Sequence, residues 1–300
     1  MVLFVGELLA DMISQEYFEK SEHFYMKVGG SPGNIASYLA QLGIPARVIS
    51  RVGNDIIGER ILRKLSQNGV DVRYVQRDNY FGTTLVFVQK TIESPDFFVL
   101  RGADRFLELP DENSLDQVKI LHLSCWLLTF KDLFEKTIHL LEIAKQKGIK
   151  IGFDPNCRDK LFDCKKIPLE RLDRISKVTY CKPSLDDAIA IFGQVDYKLE
   201  DIARYYIDKF HEKGVENVAL TLGKYGAYIS DGKSITHIPS SAKKVVDATG
   251  AGDGFWAGMY YGILTGRSFL ESCKLGSKVA GHILGFIGAD VRLSKEILEE

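Results

Sequence analysis

A glycine-rich run near the C-terminal end, residues 247–253, places an aspartate directly after small residues. An apolar run typical of a helix follows, so the backbone N–H groups of Gly250, Ala251 and Gly252 lie at a helix N-terminus. Free N–H groups and the helix dipole together bind anions. Asp253 would repel such an anion, so it either caps the helix or does chemistry beside the bound group. The run therefore predicts an anion site next to a carboxylate that can accept a proton.

Polar residues also recur just after the predicted strands, and each of them alone could be a cap or a turn. Sites on parallel sheets lie beyond the carboxyl ends of the strands, at one edge. We therefore expect a single site to collect Asp11 and the segments 29–34, 154–158, 182–184, 221–226 and 247–253.

Strand and helix patterns alternate with short links, which predicts an α/β fold with a mainly parallel sheet covered on both faces, in three layers. The predicted strands are 2–5, 46–50, 119–123, 149–153, 177–180 and 217–221, followed by a hairpin at 226–230 and 234–238. The predicted helices are 35–41 with Ser31 as N-cap, 56–67, 131–146, one from residue 185, 199–211, 251–265 and 268–284.

Two strands at 83–89 and 96–100, joined by a turn near 93–95, interrupt this alternation. With a strand around residue 25 they predict a small, separate antiparallel β-sheet. The expected division is an α/β domain of residues 1–11, 31–79 and 106–300 and a small β-sheet of residues 12–30 and 80–105.

Composition narrows the function further. A net charge of -1 argues against a nucleic-acid partner, and no apolar run approaches the ~18 residues of a membrane span. The N-terminus has the pattern of a buried strand rather than a signal peptide. Five scattered cysteines without a CxxC pair argue against a disulfide framework and against a zinc site. This use of cysteine predicts a cytoplasmic location.

Two common nucleotide motifs do not fit. A dinucleotide fingerprint needs a third glycine where Phe255 stands, and it belongs after an early strand. A P-loop needs a glycine where Ala227 stands and a helix where the chain has a hairpin turn. The sequence therefore argues against both motifs.

Three segments together resemble the ribokinase-like, or PfkB, sugar kinases. Residues 247–253 (Asp-Ala-Thr-Gly-Ala-Gly-Asp) are similar to the C-terminal signature of that family. Residues 29–34 (Gly-Gly-Ser-Pro-Gly-Asn) resemble its N-terminal signature, and Thr221, Gly223 and Gly226 match its nucleotide-binding turn. The segments occur in the family's order, and the resemblance covers essentially the whole chain.

The resemblance implies transfer of the γ-phosphoryl group of ATP to a sugar hydroxyl. Asp253 would be the general base, Gly250, Ala251 and Gly252 would hold the charge on the transferring group, and Mg²⁺ would offset the phosphate charges. The sugar would be bound by Asp11, Gly30 and Asn34, and the nucleotide by Thr221, Gly223 and Gly226.

For several further residues the sequence leaves two roles open. Arg158 and Arg101 are candidates for binding the substrate, or form surface ion pairs. Lys182 is a candidate for ATP phosphate, or only ends a strand. The resemblance implies K⁺ near Asp247 and Thr249. Ser184 and Asp187 stand where many relatives have an Asn-x-x-Glu stretch, which argues against a direct metal role for Asp187.

The resemblance implies that the small sheet is a lid. The lid of such kinases often pairs between subunits, so a homodimer is expected, with Leu85, Phe87, Phe97 and Val99 forming the apolar face of the lid. Fructose is the first expected substrate. The alternatives are 2-keto-3-deoxygluconate, bound with help from Arg101 or Arg105, a nucleoside stacked on Tyr25 or Phe98, and a sugar-binding protein without catalysis.

Overall fold

The computed structural model describes residues 1–89, 96–109, 112–156, 158–164, 166–175, 177–196 and 198–299. Its strands are β1 (Val2–Val5), β2 (Leu9–Ser14), β3 (Tyr25–Gly29), β4 (Ala46–Ile49), β5 (Arg51–Gly53), β6 (Gln76–Asp78), β7 (Leu85–Gln89), β8 (Asp96–Leu100), β9 (Ile120–Ser124), β10 (Lys150–Asp154), β11 (Tyr180–Cys181), β12 (Asn217–Thr221), β13 (Ala227–Ser230) and β14 (Ile235–Ile238). Its helices are α1 (Ser31–Gln41), α2 (Ile56–Gln67), α3 (Lys131–Gln146), α4 (Leu169–Ile175), α5 (Leu185–Phe192), α6 (Leu199–Glu212), α7 (Ala251–Leu264), α8 (Phe269–Ile283) and α9 (Glu296–Glu299).

The main sheet has the order β14-β13-β12-β11-β10-β9-β1-β4 among the described residues. The strands from β12 to β4 are parallel, and β13 and β14 add an antiparallel edge. One core cluster joins the sheet to α3, α4, α5 and α6, and a second joins it to α1, α2, α7 and α8. Because both faces are covered, central strands such as β1 are buried at every position. The predicted three-layer α/β/α fold is confirmed.

The small sheet has the order β3-β2-β7-β8. β2 pairs antiparallel with β3, and β7 pairs antiparallel with β8, but β2 and β7 run parallel. The predicted antiparallel sheet is therefore a mixed sheet, because β2, which the sequence did not predict, lies between β3 and β7 and runs parallel to β7. The turn predicted near 93–95 lies outside the described residues.

The register of β7 and β8 corrects the predicted apolar lid face. Leu85 pairs with Leu100 and Phe87 with Phe98, whereas Phe97 and Val99 pair with Val88 and Val86. Paired residues point to the same side of a sheet and successive residues to opposite sides. The outer lid face therefore contains Leu85, Phe87, Phe98 and Leu100. Phe97 and Val99 lie on the opposite face, packed against the main core.

Helix α1 begins one residue away from the prediction. Its N-cap is Gly30, at φ 102°, and Ser31 is the first helical residue rather than the cap. A Cβ atom at Gly30 would lie 2.5 Å from the carbonyl oxygen of Glu7, so only glycine fits this close approach. The Ser31 side chain is thereby released from capping and is available for another contact.

Helix α7 differs from the surface helices because it is buried around most of its circumference, between α1 and α8. Cys125 is disulfide-bonded, which the scattered cysteines did not predict. Cys164, Cys181 and Cys273 are free. In the described ranges, no helix combines the length and apolar character needed to cross a membrane.

Candidate active site

Helix α7 begins within the glycine-rich run, as the sequence predicted. Gly250 caps it at φ 84°, and a Cβ atom there would lie 2.8 Å from Ala289 Cβ and 2.9 Å from the Tyr38 hydroxyl. The regular helical bonding begins with the Gly254 N–H, which donates to the Gly250 carbonyl at 2.9 Å. The Ala251 N–H donates to Ala248 O at 3.3 Å. The N–H groups of the first turn thus precede the regular ladder, as in other helix anion sites.

Two side chains from the start of α1 hold the Asp253 carboxylate. The Ser31 hydroxyl donates to Oδ1 at 2.6 Å, and the Asn34 amide donates to Oδ2 at 2.8 Å. Residues three apart on a helix share a face, so both donors reach the same carboxylate. Asn34 was predicted to bind sugar, and Ser31 was missed. The i, i+3 spacing of the two polar residues is the signal that could have identified it.

Two carboxylates of the site titrate above their usual range. Burial raises the pKa of Asp253 to about 6, against the lowering effect of its bonds to Ser31 and Asn34. Burial, and then the negative charge of Asp253, raises the pKa of Asp11 to about 6. A base with such a pKa is mostly ionised at neutral pH and still has useful proton affinity.

Asp11 lies inside β2, against the turn that begins α1. A Cβ atom at Gly29 would lie 2.3 Å from Asp11 Oδ2, so this glycine lets the carboxylate approach the backbone. On the neighbouring strand Lys27 is the register partner of Asp11, and its side chain is exposed. The structure therefore brings Asp11, Gly30 and Asn34 together with Asp253, as the sequence predicted.

Lys182 brings a buried positive charge to the other side of the α7 N-terminus. The residue is 5% exposed, and its Nζ lies 3.9 Å from Asp154 Oδ1. A Cβ atom at Gly252 would lie only 3.4 Å from that Nζ. Burial raises the pKa of Asp154, and the Lys182 charge acts in the opposite direction. Lys182 thus stands beside the predicted anion hole.

Arg158 and Asp187 form an ion pair of 2.8 Å near the start of α5. Asp187 also closes a capping box: its Oδ2 accepts from the Ser184 N–H, and Ser184 Oγ accepts from the Asp187 N–H. Both Asp187 oxygens therefore have partners within the protein. The Arg158 side chain is 43% exposed, so it can also reach a bound anion.

Arg101 connects the end of β8 to the large domain. Its guanidinium lies 2.7 Å from Asp104 Oδ2 and donates to Thr129 Oγ1 at 3.0 Å. The same group lies over the Trp126 and Phe130 rings, at 4.4 and 4.9 Å. These contacts hold Arg101 in place. Its predicted role in substrate binding stays a prediction.

The predicted nucleotide turn follows β12. The Leu222 N–H donates to Gly226 O at 2.8 Å, and the Gly226 N–H donates to Gly223 O at 3.0 Å, which closes the loop on itself. Gly223 has φ 54° and faces open space, since a Cβ atom there would meet no atom within 4 Å. Thr221 is tied to the strand end before α5 through its N–H bond to Pro183 O at 2.9 Å.

Asp247 organises the loop that leads into α7. Its Oδ1 accepts from the Thr249 N–H and hydroxyl at 3.0 and 2.8 Å, and its Oδ2 accepts from the Gly288 N–H at 3.1 Å. In the described part of the chain, no group of three or more His, Cys, Asp or Glu side chains is arranged to hold a metal ion. The predicted K⁺ site at Asp247 and Thr249 stays a prediction.

Comparison with known proteins finds similar sequences and structures. The model of the pfkB family of carbohydrate kinases matches residues 1–295. The chain is 37% identical over 297 residues to an ATP-dependent 6-phosphofructokinase of Thermoanaerobacterium thermosaccharolyticum, covering 97% of this chain and 90% of the relative. The fructokinase structure of Halothermothrix orenii is 35% identical with a TM-score of 0.81, covering 92% and 97% of the two chains. An uncharacterised sugar kinase of Pyrococcus horikoshii in complex with ATP is 26% identical with a TM-score of 0.84, covering 99% and 96%.

Proposed function

The chain belongs to the pfkB family of carbohydrate kinases, and we propose that it transfers the γ-phosphoryl group of ATP to a hydroxyl group of a fructose-type sugar, with Asp253 as general base. One observation carries this proposal. The Asp253 carboxylate is held by Ser31 and Asn34 directly at the open N-terminus of α7, with the Lys182 amine on the other side.

In the proposed reaction the sugar hydroxyl loses its proton to Asp253 as its oxygen forms a bond to the γ-phosphorus of ATP. The bond between the γ-phosphorus and the β,γ-bridging oxygen breaks, and ADP leaves with that oxygen. Each Asp253 oxygen accepts one hydrogen bond and keeps a lone pair for the incoming proton. The N–H groups of Gly250, Ala251 and Gly252 and the fixed charge of Lys182 stabilise the negative charge on the transferring group. Phosphoryl transfer depends mainly on positioning and charge stabilisation, which these residues supply.

ATP would be bound by Thr221, Gly223 and Gly226, and Mg²⁺ carried by its phosphates would neutralise part of their charge. The carboxylate and carbonyl oxygens around Asp247 have the chemistry that K⁺ prefers, so the proposal includes a monovalent cation at Asp247 and Thr249. The reaction consumes ATP, and we place it in the cytoplasm.

Fructose is the first proposed substrate, with its hydroxyl groups bound by Asp11 and Asn34. Fructose 6-phosphate is the second candidate, and Lys27 is the observation that favours it. Lys27 shares the face of the lid sheet with Asp11 and is exposed. A phosphate at the far end of the sugar would find a cation there.

A sugar acid, a nucleoside and a purely sugar-binding role have less support in the contacts of the site. The two cations predicted to bind a sugar acid are engaged within the protein: Arg101 is held by Asp104 and two aromatic rings, and the Arg105 guanidinium lies over the Phe106 and Phe130 rings. A nucleoside needs an aromatic slot, but Tyr25 and Phe98 lie on opposite faces of the small sheet by its register. A sugar-binding protein without catalysis has no need of a base beside an anion site.

The outer lid face gives the proposed homodimer its interface. Phe87 and Phe98 stack with ring centroids 4.6 Å apart, and Phe98 and Leu100 are 44% and 54% exposed. Aromatic and aliphatic side chains exposed side by side are typical of surfaces that another protein covers.

The test is an ADP-release assay with fructose, fructose 6-phosphate, 2-keto-3-deoxygluconate, ribose and adenosine, for the wild type and Asp253→Asn. We expect turnover on a fructose-type sugar and its loss by about 10²-fold or more in Asp253→Asn, since the general base is removed. Asp208→Asn on the exposed face of α6 is the matched control and should match the wild type. Full activity of Asp253→Asn would refute the base.

Lys27→Met separates the two leading substrates. If the enzyme acts on fructose 6-phosphate, this variant raises KM for the phosphorylated sugar because the cation that pairs with its phosphate is lost. KM for fructose should not change. Equal KM values for fructose 6-phosphate in both proteins would exclude Lys27 as the phosphate ligand.

A further inference from the structure

A buried carboxyl group, Glu7, lies directly behind the catalytic base and outside the proposed site. The residue follows β1 and is 4% exposed. Its Oε1 accepts from the Ser31 N–H at 3.2 Å, and its Oε2 accepts from the Ser124 hydroxyl at 2.6 Å. Ser124 ends β9, so one side chain connects two strand ends of the main sheet to the first residue of α1.

Ser31 connects Glu7 to Asp253. Its N–H is bound by Glu7, while its hydroxyl donates to Asp253 Oδ1 at 2.6 Å. The backbones of Gly30 and Glu7 are also in close contact, since a Cβ atom at Gly30 would lie 2.5 Å from the Glu7 carbonyl oxygen. The N-cap of α1 has no side-chain hydrogen bond of its own. Glu7 therefore serves as a distant cap for this helix end.

We propose that Glu7 is a positioning residue for catalysis: its carboxyl group fixes Ser31, and Ser31 in turn orients the Asp253 carboxylate toward the sugar hydroxyl. This inference rests on the proposed role of Asp253 as the base. It adds a residue that does not contact substrate and acts through two hydrogen bonds. A misplacement of a reacting group by about 1 Å can lower the rate by about 10²-fold.

The charge state of Glu7 gives the arrangement a measurable property. Burial raises the pKa of Glu7 to about 8, its bond with Ser124 acts against this, and the negative charge of Asp104 adds to the rise. Ser31 from α1 and Ser124 from β9 carry no charge, and Asp104 is paired with Arg101. The raised pKa favours the neutral acid near neutral pH, and in that form the protonated Oε2 donates to Ser124 Oγ instead of accepting from it. Ionisation of Glu7 would place a second buried anion behind the Asp253 carboxylate.

Glu7→Gln and Glu7→Ala test this role. Gln retains the shape and neutrality of the protonated acid, with an acceptor for the Ser31 N–H and a donor for Ser124 Oγ. For the wild type we expect a fall in activity above about pH 8, as Glu7 ionises, and we expect Glu7→Gln to keep the wild-type kcat near neutral pH without this fall. Glu7→Ala should lower kcat by roughly tenfold to a hundredfold, with KM for ATP unchanged, because the base is displaced but the nucleotide turn is intact.

Circular dichroism and a melting curve establish that each variant is folded, and Ser124→Ala provides a second, milder perturbation in the same direction. Glu142→Gln, on the exposed side of α3, is the matched control. A folded Glu7→Ala enzyme with wild-type kcat would overturn the proposal, as would an alkaline fall that persists in Glu7→Gln. Activity retained by Asp253→Asn would instead refute the proposed base, so the two failures are distinguishable.

Discussion

Replacing Ser31 with alanine tests how the site controls the protonation of its base. Ser31 provides one of the two hydrogen bonds to the Asp253 carboxylate, and both lower a pKa that burial raises to about 6. A hydrogen bond to a charged group contributes roughly 1.5–3 kcal/mol, and about 1.4 kcal/mol corresponds to one pKa unit. Ser31→Ala should therefore raise the pKa of Asp253 by about one to two units.

The direction of the change in activity with pH depends on which protonation state of Asp253 is active. The base must be ionised, so kcat/KM falls as the pH decreases through the pKa of Asp253. In Ser31→Ala this acid limb moves to higher pH, and the change in protonation alone lowers activity at neutral pH by roughly twofold to tenfold, as the ionised fraction predicts for that shift. The ratio of wild-type to variant activity should shrink as the pH rises and then level off at the loss caused by the poorer positioning of the base.

The assay is ADP release at limiting sugar, measured from about pH 4.5 to 9, for the wild type, Ser31→Ala and Ser31→Thr, which keeps the hydroxyl. Asp11 titrates in the same range and interacts with Asp253, so the limb belongs to the pair. Asp11→Asn removes that partner, and its kcat profile reports Asp253 alone. An acid limb at the same pH in Ser31→Ala and the wild type would refute the reasoning. So would a loss of equal size at every pH, since that would show that the hydroxyl only positions the base.

Three further predictions follow from single contacts. Gly250→Ala should lower both the melting temperature and kcat, because it combines a positive φ with a collision against Ala289. Gly266→Ala is the control, since it has the same strain at φ 87° but no neighbour within 4 Å of the new Cβ atom. Equal losses in both variants would contradict the effect of the collision. Lys182→Met should lower kcat/KM for ATP at least about tenfold in steady-state assays, since the cation beside Gly252 is lost, and an unchanged value would remove Lys182 from the phosphate site. Unfolding by urea should show that the free energy of unfolding falls by about 3 kcal/mol more in the wild type than in Glu7→Gln between about pH 5 and 7.5. Over this range the unfolded chain releases the Glu7 proton, whereas the folded chain, in which the pKa of Glu7 is raised to about 8, still holds it; parallel pH dependences would contradict the raised pKa.

The elements with a clear period could be predicted from the sequence. Helices α2 and α3 occupy the predicted ranges, since each has a regular apolar stripe and, in α2, an Asp55 cap. β2 could not be predicted because Asp11 serves the site and breaks the apolar pattern of its strand. The prediction that Phe97 and Val99 share a face with Leu85 and Phe87 was wrong, because the two strands were predicted without their register. A shift of one residue in the register exchanges the two faces of a strand.

Site residues that match a local motif could be proposed from the sequence, and those that depend on distant contacts could not. The bond between Ser31 and Asp253 joins residues 222 positions apart, so the i, i+3 spacing of Ser31 and Asn34 indicates a shared helix face but not the carboxylate that this face contacts. Glu7 has the same difficulty, because its two partners come from α1 and β9. A buried carboxyl is costly unless it is hydrogen-bonded, and only the folded chain shows which donors satisfy it.

The difference from many relatives at residues 184–187 acquires a physical explanation from the structure. Asp187 is shorter than the glutamate of those relatives, and it closes the capping box of α5 while its other oxygen holds Arg158. With both oxygens occupied, it has little capacity left for a cation carried by the nucleotide. Lys182, from the same strand end, is fixed by Asp154 beside Gly252. We infer that the ammonium group of Lys182 neutralises part of the phosphate charge at this site. For this reason Lys182→Met should lower kcat/KM for ATP more than Asp187→Asn does.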